Sequence, residues 1–105
     1  MKYYNEIYIN EDFITEAEVK EAFALGNVIP GAYIVYVNLA NNNLFEFIHN
    51  KKLVKNAIDL DRYCIIAITK SKSECKDYVV NLVKDWVSKE NDIRDLRSYL
   101  ISNCK

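Results

Sequence analysis

The chain has 105 residues, 15 acidic and 14 basic side chains, a net charge of −1, and half its residues hydrophobic. That suits one domain, residues 1–105, with a core of its own; two ordinary domains do not fit, and the apolar content excludes a disordered chain. A near-neutral charge gives no global pull toward nucleic acid or anionic lipid, and two glycines cannot build a phosphate-cradling loop.

Tyr3 to Ile9 reads as a first strand, with Tyr4 and Tyr8 on one face and Ile7 and Ile9 on the other. Thr15 and Glu18 then have capping-box spacing, with Ile14 and Val19 placed as a hydrophobic staple. Val19, Ala22 and Phe23 give this helix its inner face. Gly26 suits a left-handed stop, and Pro30 forbids continuation.

Ala32 to Leu39, rich in Val, Ile and Tyr, reads as a strand. Asn41, Asn42 and Asn43 read as a turn, and Leu44 to Ile48 returns as the hairpin partner, with Phe45 and Phe47 on one face. Asn50 to Leu60 has helical spacing over only about two turns and is left as either a short helix or an irregular connection.

The centre of the chain is Tyr63 to Thr69, a continuous apolar run expected to be a strand covered on both faces. Glu74 to Val87 follows as a long amphipathic helix. Cys75, Tyr78, Val79, Leu82, Val83, Trp86 and Val87 line its inner face, and Ser71 with Glu74 again has capping-box spacing. Asn91 or Asp92 can cap a final helix with an apolar seam of Ile93, Leu96 and Leu100, widened by Tyr99 and Ile101.

The resulting order is β-α-β-β-(α)-β-α-α. It predicts an α+β fold: one mixed sheet of about four strands, with helices packed on at least one face. The strand–helix–strand opening predicts first and second strands lying parallel through a right-handed crossover.

Few residues carry chemistry. His49 is the sole histidine, and strand alternation sets it on the face opposite Glu46. Cys75 sits in the first turn of the long helix, near Lys72 and Lys76, where a thiol can be activated; its place on the core face argues for packing instead. An enzyme would have to draw on Cys75, His49 and Glu46. A nuclease of the restriction-endonuclease-like kind needs Glu-x-Lys on a strand, and Glu46-Phe47-Ile48 lacks the lysine. Cys64, Cys75 and Cys104 have neither metal spacing nor a Cys-x-x-Cys pair. Read as reduced thiols, and with no long apolar stretch at the start, they predict a cytoplasmic protein with no cofactor and no membrane contact.

Charge is segregated. Met1 to Glu21 holds six acidic and two basic residues, whereas Asn50 to Lys76 holds seven basic and three acidic. Lys51, Lys52, Lys55, Lys70 and Lys72 are the candidate nucleic-acid contacts, although a nucleic-acid footprint is normally a broader basic face with aromatic or arginine readers. The eight tyrosines offer more. If one sheet face lacks a helix, Tyr4, Tyr8, Tyr33 and Tyr36, with Tyr99 on the last helix, form an aromatic surface for another protein or a second copy. If both faces are covered, the same tyrosines rim the core.

The opening Tyr3-Tyr4-Asn5-Glu6-Ile7-Tyr8, the hairpin from Asn38-Leu39-Ala40 through Leu44-Phe45-Glu46, the unit Ile65-Ile66-Ala67-Ile68-Thr69 and the ending from Asp92 to Leu100 resemble a group of small bacterial proteins without an assigned activity. The resemblance implies a single cytoplasmic domain and no particular catalysis. The reading that follows is a non-catalytic protein-interaction or regulatory module, with an enzyme and a nucleic-acid binder as alternatives.

Overall fold

The computed structural model describes residues 1–52 and 60–105. Four strands form one mixed sheet: β1 (Lys2–Ile9), β2 (Tyr33–Asn38), β3 (Glu46–His49) and β4 (Tyr63–Thr69), in the spatial order β1-β4-β2-β3. Among the described residues, α1 (Glu16–Ala24), α2 (Lys72–Ser88) and α3 (Leu96–Ser102) pack against it. The fold is α+β. The ambiguous segment from Asn50 to Leu60 falls largely on residues 53–59, outside the described residues.

The most apolar strand takes the interior of the sheet. Cys64 to Thr69 are fully buried, and β4 pairs with β1 on one side and β2 on the other. Helices cover both faces. Val19 and Phe23 of α1 close over Ile34, Tyr36, Ile65 and Ile68. On the opposite face, α2 and α3 close over Val35, Val37, Cys64 and Ile66.

The expected parallel pairing of the first two strands does not form. β1 runs parallel to β4, and β2 runs antiparallel to β4, so β1 and β2 point in opposite directions with β4 between them. Ile9 pairs with Ile68 and Tyr33 pairs with Thr69, so β1 ends where β2 begins. The chain through α1 thus returns to the end of the sheet it left. The central place goes to the strand with the most apolar surface to bury.

Local signals behave as their chemistry dictates. Thr15 and Glu18 form the complete capping box of α1. At its far end Gly26 adopts φ +71°, while Asn27 N–H reaches Ala22 O and Gly26 N–H reaches Phe23 O, the Schellman pattern. Ser71 caps α2 by accepting from Glu74 N–H, whereas the Glu74 carboxylate reaches one residue further back, to Lys70 N–H at 3.2 Å. Cys75, Tyr78, Val79, Leu82, Val83 and Trp86 pack on the sheet. Val87, expected on that face, is half exposed, as is Val80 seven residues earlier on the same side of α2.

Asp92 caps a 3-10 turn, Ile93–Asp95, rather than an α-helix. This moves Ile93 off the apolar seam and into solvent, leaving Leu96 and Leu100 as the buried anchors of α3. The hairpin partner begins later than expected, at Glu46, because the Asn41–Asn43 turn is extended by Arg97. Its guanidinium donates to the carbonyls of Asn38 (3.1 Å), Asn43 (2.6 Å) and Asn41.

After α3 the chain pairs with the outer edge of β1. Tyr3 and Lys105 exchange two backbone hydrogen bonds (2.8 and 2.9 Å), and Asn5 N–H donates to Asn103 O at 2.9 Å. An unpaired strand edge is a template for unwanted association, and this tail covers one. It also brings Cys104 to Cys64. The two form a disulfide with Cα atoms 6.1 Å apart, within the ordinary range. The expectation of three reduced thiols is corrected here, and with it the ground for inferring a reducing compartment from the cysteines. No described helix is long and apolar enough to cross a membrane.

Candidate functional site

The five tyrosines of the expected aromatic surface are divided by the fold. Tyr4 and Tyr36 are buried, since each sheet face has a helix over it. Tyr33 is half-buried and meets His49 edge-on at 5.1 Å. Only Tyr8 and Tyr99 are well exposed, at 45% and 40%. Among the described residues, neither sheet face is left as a bare tyrosine-bearing surface. What exists instead is a groove between β1 and α2, into which some of these rings are gathered.

The groove comprises two successive hollows. The first, about 280 Å³, is lined by Tyr8, Glu74, Asp77, Tyr78 and Asn81; the Tyr8 and Tyr78 rings stack with centroids 5.4 Å apart. The second, about 450 Å³, is lined by Tyr4, Glu6, Leu82, Asp85, Trp86, Lys89, Asn91, Leu96 and Tyr99. The helical period explains the wall: residues 74, 77, 78, 81, 82, 85, 86 and 89 recur at three- and four-residue steps along one side of α2. The opposite wall comes from Tyr4, Glu6 and Tyr8, the alternate residues of β1 that face α2. Between Tyr3 and Tyr8 the β1–β4 register shifts. Such irregularities re-aim side chains, and here the shift lies along the residues that line the groove.

Polar contacts fix the second hollow. Trp86 Nε1–H donates to Asp92 O at 2.8 Å, which seats the indole against the turn after α2. Its ring lies 4.9 Å from that of Tyr99 with 40° between the planes. Tyr4 donates its hydroxyl to Glu6 at 3.2 Å. Burial, then the Tyr99 hydroxyl and the Glu6 carboxylate, raise the Tyr4 pKa well above the usual phenol value. Burial and the Glu6 charge push Tyr78 up to about 12. Both phenols are therefore neutral donors at physiological pH, and the charge of the groove belongs to Glu6, Glu74, Asp77 and Asp85 against the single cation Lys89.

The candidate catalytic residues do not converge. Cys75 is fully buried, its sulfur 3.2 Å from the Thr69 hydroxyl; burial raises its pKa, so the thiol is both sealed off and less acidic. Glu46 pairs across β2 with Tyr36 and accepts from the side chains of Asn41 and Asn43 at 3.3 to 3.5 Å. His49 pairs with Tyr33 at the other end of β3 and accepts Lys51 N–H on Nδ1 at 3.1 Å. Among the described residues, no three His, Cys, Asp or Glu side chains gather closely enough to hold a metal ion.

Two candidate nucleic-acid lysines do meet. Lys52 and Lys72 line a hollow of about 320 Å³ with His49, Tyr33, Phe47 and Ile48. Lys51 and Lys70 are exposed near these, and Lys55 lies outside the described residues. Arg62 stands at the opposite end of β4, on the order of 20 Å away along the strand.

Sequence reasoning missed Asn50, a buried polar residue with every side-chain bond satisfied, and the tail on β1; neither carries a local signal. It also missed the groove, although Tyr78, Leu82, Trp86 and the intervening carboxylates are visible on one helical wheel. Its other wall depends on which strand α2 covers. No protein-family model, curated protein or solved structure matches this chain.

Proposed function

We propose that the protein is a non-catalytic interaction module that recognises another protein, or a second copy of itself, through the groove between β1 and α2. One observation carries the reading. An aromatic-lined hollow of about 450 Å³ is built by α2, β1 and α3, with its Trp86 and Tyr99 rings held at 4.9 Å and the indole bonded to Asp92. Aromatic residues concentrated in a partly polar depression are what protein interfaces enrich, and a rigid ring loses little entropy on contact. The scatter of Cys75, His49 and Glu46 weighs against an enzyme built on them. Among the described residues, Lys51, Lys52, Lys70 and Lys72 gather without an arginine beside them, which supports a nucleic-acid footprint less well.

Kinship to the small bacterial proteins and a cytoplasmic setting belong to the same proposal, supported by the likeness of segments noted in the sequence. Trapping of free thiols in cells bears on the compartment: a reducing cytoplasm leaves Cys64 and Cys104 alkylatable after unfolding, and an oxidising one leaves them bonded.

The interaction is tested by placing a photoreactive residue at Asn81, in the groove, and at Glu21, on exposed α1. Reproducible adducts from position 81 and none from position 21 are expected. An adduct with a second copy identifies a homodimer, checked by light scattering. Equal labelling from both positions, or none from position 81, overturns the reading.

A further inference from the structure

We propose that the hollow walled by Trp86 and Tyr99 takes an organic cation, the guanidinium or ammonium group of an arginine or lysine on a partner protein. The inference rests on the groove reading above and goes beyond it by assigning the chemistry of what is bound.

The two rings, with centroids 4.9 Å apart and planes at 40°, both line the hollow. Aromatic faces attract cations through their quadrupole, the indole most strongly. Carboxylates stand on both sides of the same space, Glu6 from β1 and Asp85 from α2. A guanidinium meets both demands together, since its plane stacks on a ring while its edge donates to a carboxylate. An anion entering here would face two carboxylates. An uncharged apolar group would strip water from the carboxylates without replacing it.

The resident cation does not fill the role. Lys89 Nζ lies 3.1 Å from Asp85, but both side chains are mostly exposed and the pair is the i,i+4 kind that contributes little. Lys89 therefore stands at the rim as a competitor that an incoming cation displaces. The three side chains make opposite predictions, which a merely structural role for the hollow would not.

Trp86 is the only tryptophan, so its fluorescence reports on this hollow alone. The probe is a short, blocked, arginine-bearing peptide titrated into the full chain. A glutamate-substituted peptide and free spermidine are the comparison arms. A saturable change with the arginine peptide is expected, about tenfold weaker in the Glu6→Gln, Asp85→Asn double variant as charge-assisted contacts are lost. Lys89→Met should tighten it about threefold by removing the competing charge. All the substituted side chains are exposed, and circular dichroism verifies that the variants fold. Equal response to the glutamate peptide, no change in the double variant, or weakening by Lys89→Met overturns the proposal. Spermidine binding as tightly as the peptide also overturns it, by assigning the hollow to a free polyamine. If position 81 yields protein adducts while this titration fails, the groove stands and only the cationic ligand falls.

Discussion

The side-chain amide of Asn50 closes on the backbone of Ile29 from both directions, accepting Ile29 N–H at 2.6 Å and donating to Ile29 O at 2.5 Å. The same amide nitrogen donates to Ala32 O at 2.9 Å, and Asn50 N–H adds a bond to that carbonyl at 3.0 Å. Asn50 is completely buried, so it acts as a polar clasp joining the loop before β2 to the end of β3. Replacing it with alanine orphans buried backbone groups, and an unsatisfied buried group costs about 1–3 kcal/mol. Asn50→Ala should lower the urea midpoint by a matching amount. Asn50→Asp should give no rescue, because a carboxylate buried there accepts from Ile29 N–H but sets its second oxygen against the Ile29 and Ala32 carbonyls with no proton to donate. Equal stability of all three proteins would show that the clasp contributes nothing.

Arg97 does a similar job from the other side of the sheet. Its guanidinium holds three carbonyls of the turn between β2 and β3, and so ties α3 to the hairpin. A lysine ammonium cannot reproduce that fork. Arg97→Lys should therefore behave nearly like Arg97→Ala, with a loss of about 1–2 kcal/mol for a half-buried charged donor. The check is hydrogen exchange: Asn43 N–H, bonded to the Asn41 side chain, should exchange faster in both variants. Protection in Arg97→Lys equal to the parent would remove the fork from the account.

These two clasps explain which parts of the fold can be read from sequence. The starts of α1 and α2 are written within four residues, so Thr15 with Glu18 and Ser71 with Glu74 announce themselves, whereas α3 begins without a side-chain cap. The apolar run of β4 likewise declares a doubly covered strand. Asn50 joins Ile29 across 21 positions, Arg97 joins Asn43 across 54, and Tyr3 joins Lys105 across the whole chain. No local propensity encodes such pairs. The order of the strands is of the same kind: only packing shows that β4 separates β1 from β2, and that decides which tyrosines enter the groove. Tyr78 and Trp86 are assignable to an inner face by period alone, but the wall opposite them is not.

The Cys64–Cys104 bond links the core strand to the tail that covers β1. It closes a loop with a sequence separation of 40, for which chain entropy gives a stabilisation of about 3–4 kcal/mol. Reductant should lower the melting temperature, and Cys104→Ser should do the same without reductant. Exchange of Tyr3 and Asn5 N–H, both bonded to the tail, should rise in each case. Cys75 should stay unreactive toward thiol reagents until the protein unfolds, because it is buried and its pKa is raised. A melting temperature indifferent to both reductant and Cys104→Ser would mean that α3 alone holds the tail.

Alkaline pH should unfold the protein through its tyrosines. Tyr36 is pushed up to about 12 by burial and then by the charge of Glu46 and the neighbouring Tyr63, whose ring meets it edge-on at 5.3 Å. Tyr78 is pushed up to about 12 by burial and by Glu6. In the unfolded chain a tyrosine ionises near pH 10, at about its reference value. Below that pH both states keep the proton and the fold retains this contribution in full. Between about pH 10 and 12 the unfolded state releases protons that the folded state still holds, so stability falls as pH rises. Urea midpoints should therefore drop steeply across this window. Tyr36→Phe preserves the buried ring but removes its titration, so its midpoints should drop less steeply than those of the parent. Parallel curves for the two proteins would assign the alkaline loss to other groups and leave Tyr36 as packing alone.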